Sequence, residues 1–94
     1  MEAKEIILNI SVNLGRLCRW SLEGRTARVE QFLNETEEFL KALELAPKSA
    51  RFLPTYEWFK KDFENLRHNV RMDKDWAESM LTWANILNHR SALT

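Results

Sequence analysis

Residues 3–24 read AKEIILNISVNLGRLCRWSLEG, and their apolar side chains recur at steps of three and four. This spacing predicts an amphipathic helix over about residues 3–23, ended by Gly24, which tolerates a left-handed backbone. At about 100° per residue the apolar face spans roughly 200°. It comprises Ile6, Ile7, Ile10, Leu14, Leu17, Cys18, Trp20 and Leu22. So wide a face indicates that other helices pack against this one from more than one side.

The rest of the chain has the same period and predicts three more helices. They cover about residues 26–45, 55–69 and 74–90. Their N-termini are expected to be capped by Thr26, Thr55 and either Asp73 or Asp75. Between the second and third helices, Phe52 and Leu53 are expected to tuck onto the core.

The class predicted from these patterns is all-α. The chain has only two glycines and two prolines, and no segment alternates apolar and polar residues as a strand would. Short connections favour antiparallel neighbours, so residues 1–94 are expected to form one domain, a compact up-down-up-down four-helix bundle. A three-helix core with an irregular fourth element is the alternative.

Four tryptophans stand out in a chain of 94 residues. Trp76 and Trp83 are seven residues apart on the apolar face of the fourth helix, so both are expected in the core. Trp20 lies at the edge of its apolar face and is compatible with either burial or exposure. Trp58 lies off the narrow apolar stripe of the third helix, which consists of Tyr56, Phe59, Phe63, Leu66 and Val70.

An outward-facing Trp58 predicts a partner-binding surface, because tryptophan is enriched at the hot spots of protein interfaces. The neighbouring polar residues on the same side of the helix complete the predicted site, which is Trp58, Lys61, Asp62 and Asn65. The alternative is that the indole folds over the linker at residues 47–53 and has a structural role.

The charges balance over the whole chain but not locally. With 14 basic and 14 acidic residues there is no global field to attract nucleic acid or an anionic membrane. Residues 16–28 nevertheless carry a net charge of +3 from Arg16, Arg19, Arg25, Arg28 and Glu23, whereas residues 29–46 carry −4. The four arginines, interleaved with Trp20, offer an alternative function as a polyanion or nucleic-acid site. Nucleic acid is the less favoured partner, since the arginines are expected to pair with the acidic second helix.

Cys18 is the only cysteine and lies on an apolar helix face, which predicts a buried structural thiol in a reducing compartment. The uncharged run from residue 6 to residue 15 is too short to span a bilayer, and the N-terminus lacks the basic start of a signal peptide. A cytoplasmic location without membrane attachment is therefore expected.

No motif for catalysis, metal binding or phosphate binding is present in the sequence. Glu64 and His68 are four residues apart, which suits a surface pair rather than the Glu-x-x-His spacing of di-iron bundles. We therefore expect no catalytic, cofactor or metal site and no enzymatic activity. The sequence favours a small protein-interaction module or a subunit of a larger assembly, which binds a protein partner or associates with itself, for example as a homodimer.

Overall fold

A computed structural model describes all of residues 1–94 and contains four α-helices and no strand. The helices are α1 (Ala3–Leu22), α2 (Thr26–Leu45), α3 (Leu53–His68) and α4 (Lys74–Arg90), followed by a 3₁₀ turn at Ser91–Leu93. The predicted all-α four-helix bundle is confirmed, and every helix boundary lies within two residues of the expected position.

The helices form a ring in which each runs antiparallel to its neighbours. Near the middle of α1, the Ser11 Oγ donates to the Ala84 carbonyl of α4 at 2.7 Å. Between the neighbouring helices α2 and α3, Lys60 pairs with Glu44 and Arg67 pairs with Glu37. Residue numbers thus rise on α3 as they fall on α2. The regular α4 excludes the three-helix alternative.

The wide apolar face of α1 is explained by its two close neighbours, α2 and α4. Ile7, Ile10, Leu14 and Leu17 are completely buried, as the width of the face predicts. Leu22 was also placed on this face, and that prediction is wrong because its side chain is exposed. It is the last residue of α1, at the end of the bundle, where the chain turns back into α2.

The turn after α1 forms as predicted around Gly24, whose φ is +71°. The Gly24 N–H donates to the Ser21 carbonyl at 3.1 Å, and the Arg25 N–H donates to the Trp20 carbonyl at 2.9 Å. This pair of bonds satisfies carbonyls that the helix end would otherwise leave free. Thr26 does not cap α2 as expected, because the turn makes it the first helical residue and leaves Arg25 at the cap position without a side-chain hydrogen bond.

The start of α3 differs from the prediction because the helix begins at Leu53, two residues earlier. Thr55 therefore lies inside the helix, buried, and its hydroxyl accepts a hydrogen bond from Arg90 Nη1 at 2.8 Å instead of capping. Phe52 is buried as expected, whereas Leu53 is exposed on the first turn, so its predicted burial is wrong. Val70 is also exposed, because α3 ends at His68.

Of the two candidate caps for α4, Asp73 and Asp75, the structure shows Asp73 at the cap position. The Asp73 carboxylate accepts a hydrogen bond from the Trp76 N–H at 2.8 Å, which satisfies one of the free donors of the first turn. Trp76 and Trp83 are both buried in the core, as their spacing predicts. The Trp76 Nε1–H donates to the Leu66 carbonyl at 3.0 Å, so α4 is also held against the end of α3.

Tyr56 packs in the core with a hydroxyl that has no hydrogen-bond partner. An unpaired buried hydroxyl costs free energy, so Tyr56→Phe is expected to leave the free energy of unfolding unchanged or to raise it by up to about 1 kcal/mol. Urea denaturation of the two proteins measures the difference. A loss of about 1 kcal/mol or more would contradict the prediction and show that the hydroxyl is bonded.

Candidate docking groove between α3 and α4

An open groove of about 420 Å³ lies on the outer surface between α3 and α4. Its aromatic and aliphatic part consists of Trp58, Trp83 and Ile86, and its charged part consists of Asp62, Asp75 and Glu78. Trp58 is 57% exposed, whereas each of the other three tryptophans is at most 8% exposed. The expected outward orientation of Trp58 is therefore confirmed, while its role in binding stays a prediction.

Trp58 is held in place by the core beneath it. Its ring meets the ring of Trp83 edge to face, with centroids 4.9 Å apart and an interplanar angle of 77°. Trp83 in turn packs against Phe59 at 5.2 Å. The Trp83 Nε1–H donates to Asp62 Oδ2 at 2.5 Å. The exposed indole thus rests on a fixed aromatic platform rather than on the linker at residues 47–53.

Of the four residues predicted for this site, the structure brings Trp58 and Asp62 together in the groove. Lys61 is exposed but lies with Glu57, Lys60 and Glu64 on an adjoining surface of α3. Asn65 is exposed and does not line the groove. The prediction considered one helix alone, so it included neighbours of Trp58 that project away from α4.

Sequence reasoning missed the residues that α4 contributes to the groove. They are Asp75, Glu78, Ser79, Thr82, Trp83 and Ile86. The polar members recur at steps of three and four from Asp75 to Thr82, which places them on one face of a helix. That spacing was a usable signal, but only the pairing of α3 with α4 shows that this face borders Trp58.

The groove is acidic. No lysine or arginine lines it, and neither Asp62 nor Asp75 takes part in an ion pair. The one ion pair of its carboxylates joins Glu78 to Lys74 at 4.0 Å, and both side chains are well exposed, so it contributes little. The groove therefore combines an open aromatic ring with a local excess of negative charge.

The four arginines of the alternative site cluster at the seam between α1 and α2. The guanidinium carbons of Arg19 and Arg28 lie 5.4 and 5.2 Å from the centre of the Trp20 ring. That of Arg16 lies 5.7 Å from the Phe32 ring, and Arg25 forms an ion pair with Glu23 at 2.7 Å. Because Trp20 is buried, its ring is not free to stack on a base.

The expected pairing of these arginines with the acidic second helix is wrong. None of the four forms an ion pair with a glutamate of α2. The aromatic rings of Trp20 and Phe32 hold the guanidinium groups of Arg16, Arg19 and Arg28 instead, and Arg25 pairs with Glu23. Two of the α2 glutamates, Glu37 and Glu44, pair with α3. The basic cluster at the seam between α1 and α2 and the acidic groove between α3 and α4 are therefore separate surfaces.

A second cavity, of about 320 Å³, lies between α2 and the connection from α3 to α4. Arg67 anchors it by donating to the Leu33 carbonyl at 3.2 Å and to Asn34 Oδ1 at 3.2 Å. Met72, which also lines it, has a φ of +57°, a left-handed backbone conformation that is uncommon for residues other than glycine. The hydrogen bonds of Arg67 join α3 to α2 at this cavity, so the lining has a structural role.

Cys18 and the histidines form no catalytic arrangement. Burial, and then the charge of Glu78, raise the pKa of the Cys18 thiol, which disfavours the reactive thiolate. His68 pairs with Glu64 at 2.8 Å on the surface, as its spacing predicts, and His89 is exposed. No three histidine, cysteine or acidic side chains are grouped so that they would hold a metal ion. None of the four helices has the length and apolar character needed to cross a bilayer.

Comparison with protein-family models, with curated proteins and with solved structures finds no match to this chain. The function is therefore inferred from the geometry of the molecule alone.

The two buried titratable groups predict a loss of stability at alkaline pH. Burial raises the pKa of both the Cys18 thiol and the Tyr56 hydroxyl, so the folded chain holds these protons more tightly than the unfolded chain does. The resulting stability is complete below the unfolded pKa values, about 8.5 and 10, and is lost as pH rises through the folded values. We expect the free energy of unfolding to fall above about pH 9. Urea denaturation across this range should show a smaller fall in Cys18→Ala/Tyr56→Phe, and an identical fall in both proteins would contradict the prediction.

Proposed function

We propose that this chain is a non-enzymatic, cytoplasmic interaction module that docks a protein partner on the groove between α3 and α4. One observation carries the proposal: Trp58 is 57% exposed in a bundle that buries its three other tryptophans. An exposed indole leaves a large apolar surface in water, and tryptophan is strongly enriched at interface hot spots.

The surroundings of Trp58 match the anatomy of a protein interface. Its contact with Trp83 fixes the indole before any partner arrives, so little side-chain entropy is lost on binding. The charged side chains of Asp62, Asp75 and Glu78 line the same groove as this aromatic centre, as polar residues accompany the apolar core of an interface. The free thiol of Cys18, buried and without a disulfide, supports a reducing location.

A cross-linking experiment tests the docking site directly. Thr82 lines the groove, whereas its neighbour Leu81 is equally on the surface of α4 but does not line it. A photoreactive amino acid at position 82 is expected to give a discrete adduct in the source cells, and the same group at position 81 is not. Adding Trp58→Ala to the position-82 protein should remove the adduct. Equal labelling from both positions, or an adduct that survives Trp58→Ala, would refute the proposal.

A second copy of the chain is one partner that this site allows. In that version, sedimentation equilibrium at micromolar concentration shows a wild-type homodimer, and Trp58→Ala is a monomer. A wild-type protein that remains monomeric throughout eliminates the homodimer and leaves a different partner or a larger assembly.

A second candidate function, polyanion binding, is favoured by the N-terminus of α2. This helix end has no side-chain cap, so its free N–H groups and positive dipole add to the charges of Arg19 and Arg28, while Arg25 is paired with Glu23. Polyanion binding predicts that the protein is retained on heparin and that the retention weakens as the salt concentration rises. Arg19→Gln/Arg28→Gln should elute at clearly lower salt than the matched control Lys4→Gln/Lys61→Gln. Equal elution of the two variants would eliminate this candidate.

A further inference from the structure

We propose that the groove between α3 and α4 takes a basic segment of its protein partner, with an arginine or lysine side chain over the ring of Trp58 and the nearby carboxylates around its charge. This inference rests on the proposed docking function and specifies the chemistry of the partner.

The charge of the groove is the first support. Asp62, Asp75 and Glu78 line it without any basic residue, although the whole chain is neutral. A cleft lined by one sign of charge concentrates field and favours a partner of the opposite sign. An acidic segment would be repelled, and an uncharged one would leave the carboxylates without partners as they lose water.

The aromatic rings of this protein give the second, independent support. Trp20 has two arginines within 5.4 Å of its centre, and Tyr56 has Lys48 and Lys60 within 5.8 Å. Trp58 is by far the most exposed tryptophan and has no cation over its ring. Cations bind to indole faces more strongly than to other aromatic faces. Trp58, bordered by carboxylates, is thus a cation site that the chain does not fill with its own residues.

The apolar residues of the groove suit the stem of such a side chain. Lysine and arginine carry three or four methylene groups that pack along apolar surface while the charged end stays hydrated. Ile86 is partly exposed and supplies that surface beside Trp58. Asp62 is already oriented by its hydrogen bond from Trp83 Nε1, and its other oxygen has no hydrogen-bond partner within the chain.

The arginine cluster of a second copy is a poorer occupant than a separate basic segment. Its guanidinium groups are already held by Trp20, Phe32 and Glu23, contacts that docking would have to disturb. The cluster lies at the seam between α1 and α2, whereas the groove lies between α3 and α4. Joining two different surfaces is a head-to-tail contact, which builds a ring or an open chain instead of the two-fold dimer that one self-complementary surface gives.

Fluorescence anisotropy with a labelled hexa-arginine peptide tests the inference. We expect the hexa-arginine peptide to bind the wild-type protein saturably and in a salt-sensitive way. A hexa-glutamate peptide should not bind. Asp75→Asn/Glu78→Gln should weaken binding by about tenfold, whereas Glu57→Gln/Glu64→Gln should change it by less than about twofold. Both double variants remove two exposed carboxylates, so they alter the net charge equally. Trp58→Ala should weaken binding by about threefold to thirtyfold.

The outcomes separate this inference from the proposed function. Equal weakening in the two double variants would overturn it, because net charge alone would then explain binding. Wild-type self-association that disappears in Arg19→Gln/Arg28→Gln would also overturn it, since the groove would hold a second copy. If the peptide does not bind but the adduct at position 82 still depends on Trp58, the basic segment is refuted and the docking function stands. If the peptide does not bind and no adduct at position 82 depends on Trp58, both proposals are refuted.

Discussion

Replacing Trp58 with alanine is expected to lower the affinity for any partner recovered by cross-linking at position 82 by about thirtyfold or more. Truncation of a hot-spot residue costs about 2–4 kcal/mol of binding free energy. The fold should survive, because Trp58 is mostly exposed and loses chiefly its edge contact with Trp83. Such an aromatic contact contributes about 0.5–1.5 kcal/mol to stability. Isothermal titration calorimetry measures the affinity, and urea denaturation measures the stability.

Leu81→Ala is the matched control for this variant. Leu81 is also a large, exposed apolar residue, but it lies on α4 outside the groove. We expect its affinity to stay within about twofold of the wild type, as for contacts outside a hot spot. If Leu81→Ala weakened binding as much as Trp58→Ala, exposed apolar area in general would be responsible and the groove would lose its special role.

The largest loss of stability is expected from Trp76→Ala. This side chain is fully buried, and its Nε1–H bonds to the Leu66 carbonyl. Removing a buried tryptophan leaves a cavity and costs about 3–5 kcal/mol. A domain of this kind has a total stability of about 5–15 kcal/mol, so the variant should be close to unfolding at 37 °C if its starting stability is near the lower value. Urea denaturation measures the change.

Trp76→Phe separates the packing from the hydrogen bond. It keeps an aromatic ring in the core but removes the donor to Leu66, so a loss of about 1–3 kcal/mol is expected. A loss of less than about 1 kcal/mol in Trp76→Ala would contradict the placement of this residue, because no fully buried indole is removed so cheaply.

The helices were predictable because their signals are local. The period of three and four, Gly24 at the first turn and Asp73 before the last helix each act within a few residues. The predictions of helix caps and burial failed where contacts between distant parts of the chain determine the outcome. Thr55 has the chemistry of a cap, but α3 starts earlier. Its hydroxyl instead accepts a hydrogen bond from Arg90, which is 35 residues away in the chain. Leu22 has the right helical angle for burial, but it lies at the end of the bundle.

The candidate site was only partly predictable for the same reason. Trp58 is off the apolar stripe of its own helix, and that alone predicted its exposure. Its neighbours in the groove come mainly from α4, and residues such as Asp75 and Glu78 become part of the site only through helix pairing. The arginines also show the limit of charge patterns. The adjacent acidic helix suggested ion pairs, but aromatic rings hold three of the four arginines and Glu23 pairs with the fourth.

Quenching of tryptophan fluorescence by acrylamide tests the exposure of Trp58 most directly. Trp58→Phe keeps a ring in the groove and removes only the indole. The exposed geometry predicts that the wild-type protein has an accessible, red-shifted emission, and that Trp58→Phe loses it while Trp20→Phe, Trp76→Phe and Trp83→Phe retain it. If the emission of Trp58→Phe were quenched as readily as that of the wild type, Trp58 would not be the exposed tryptophan, and the docking groove would have no anchor.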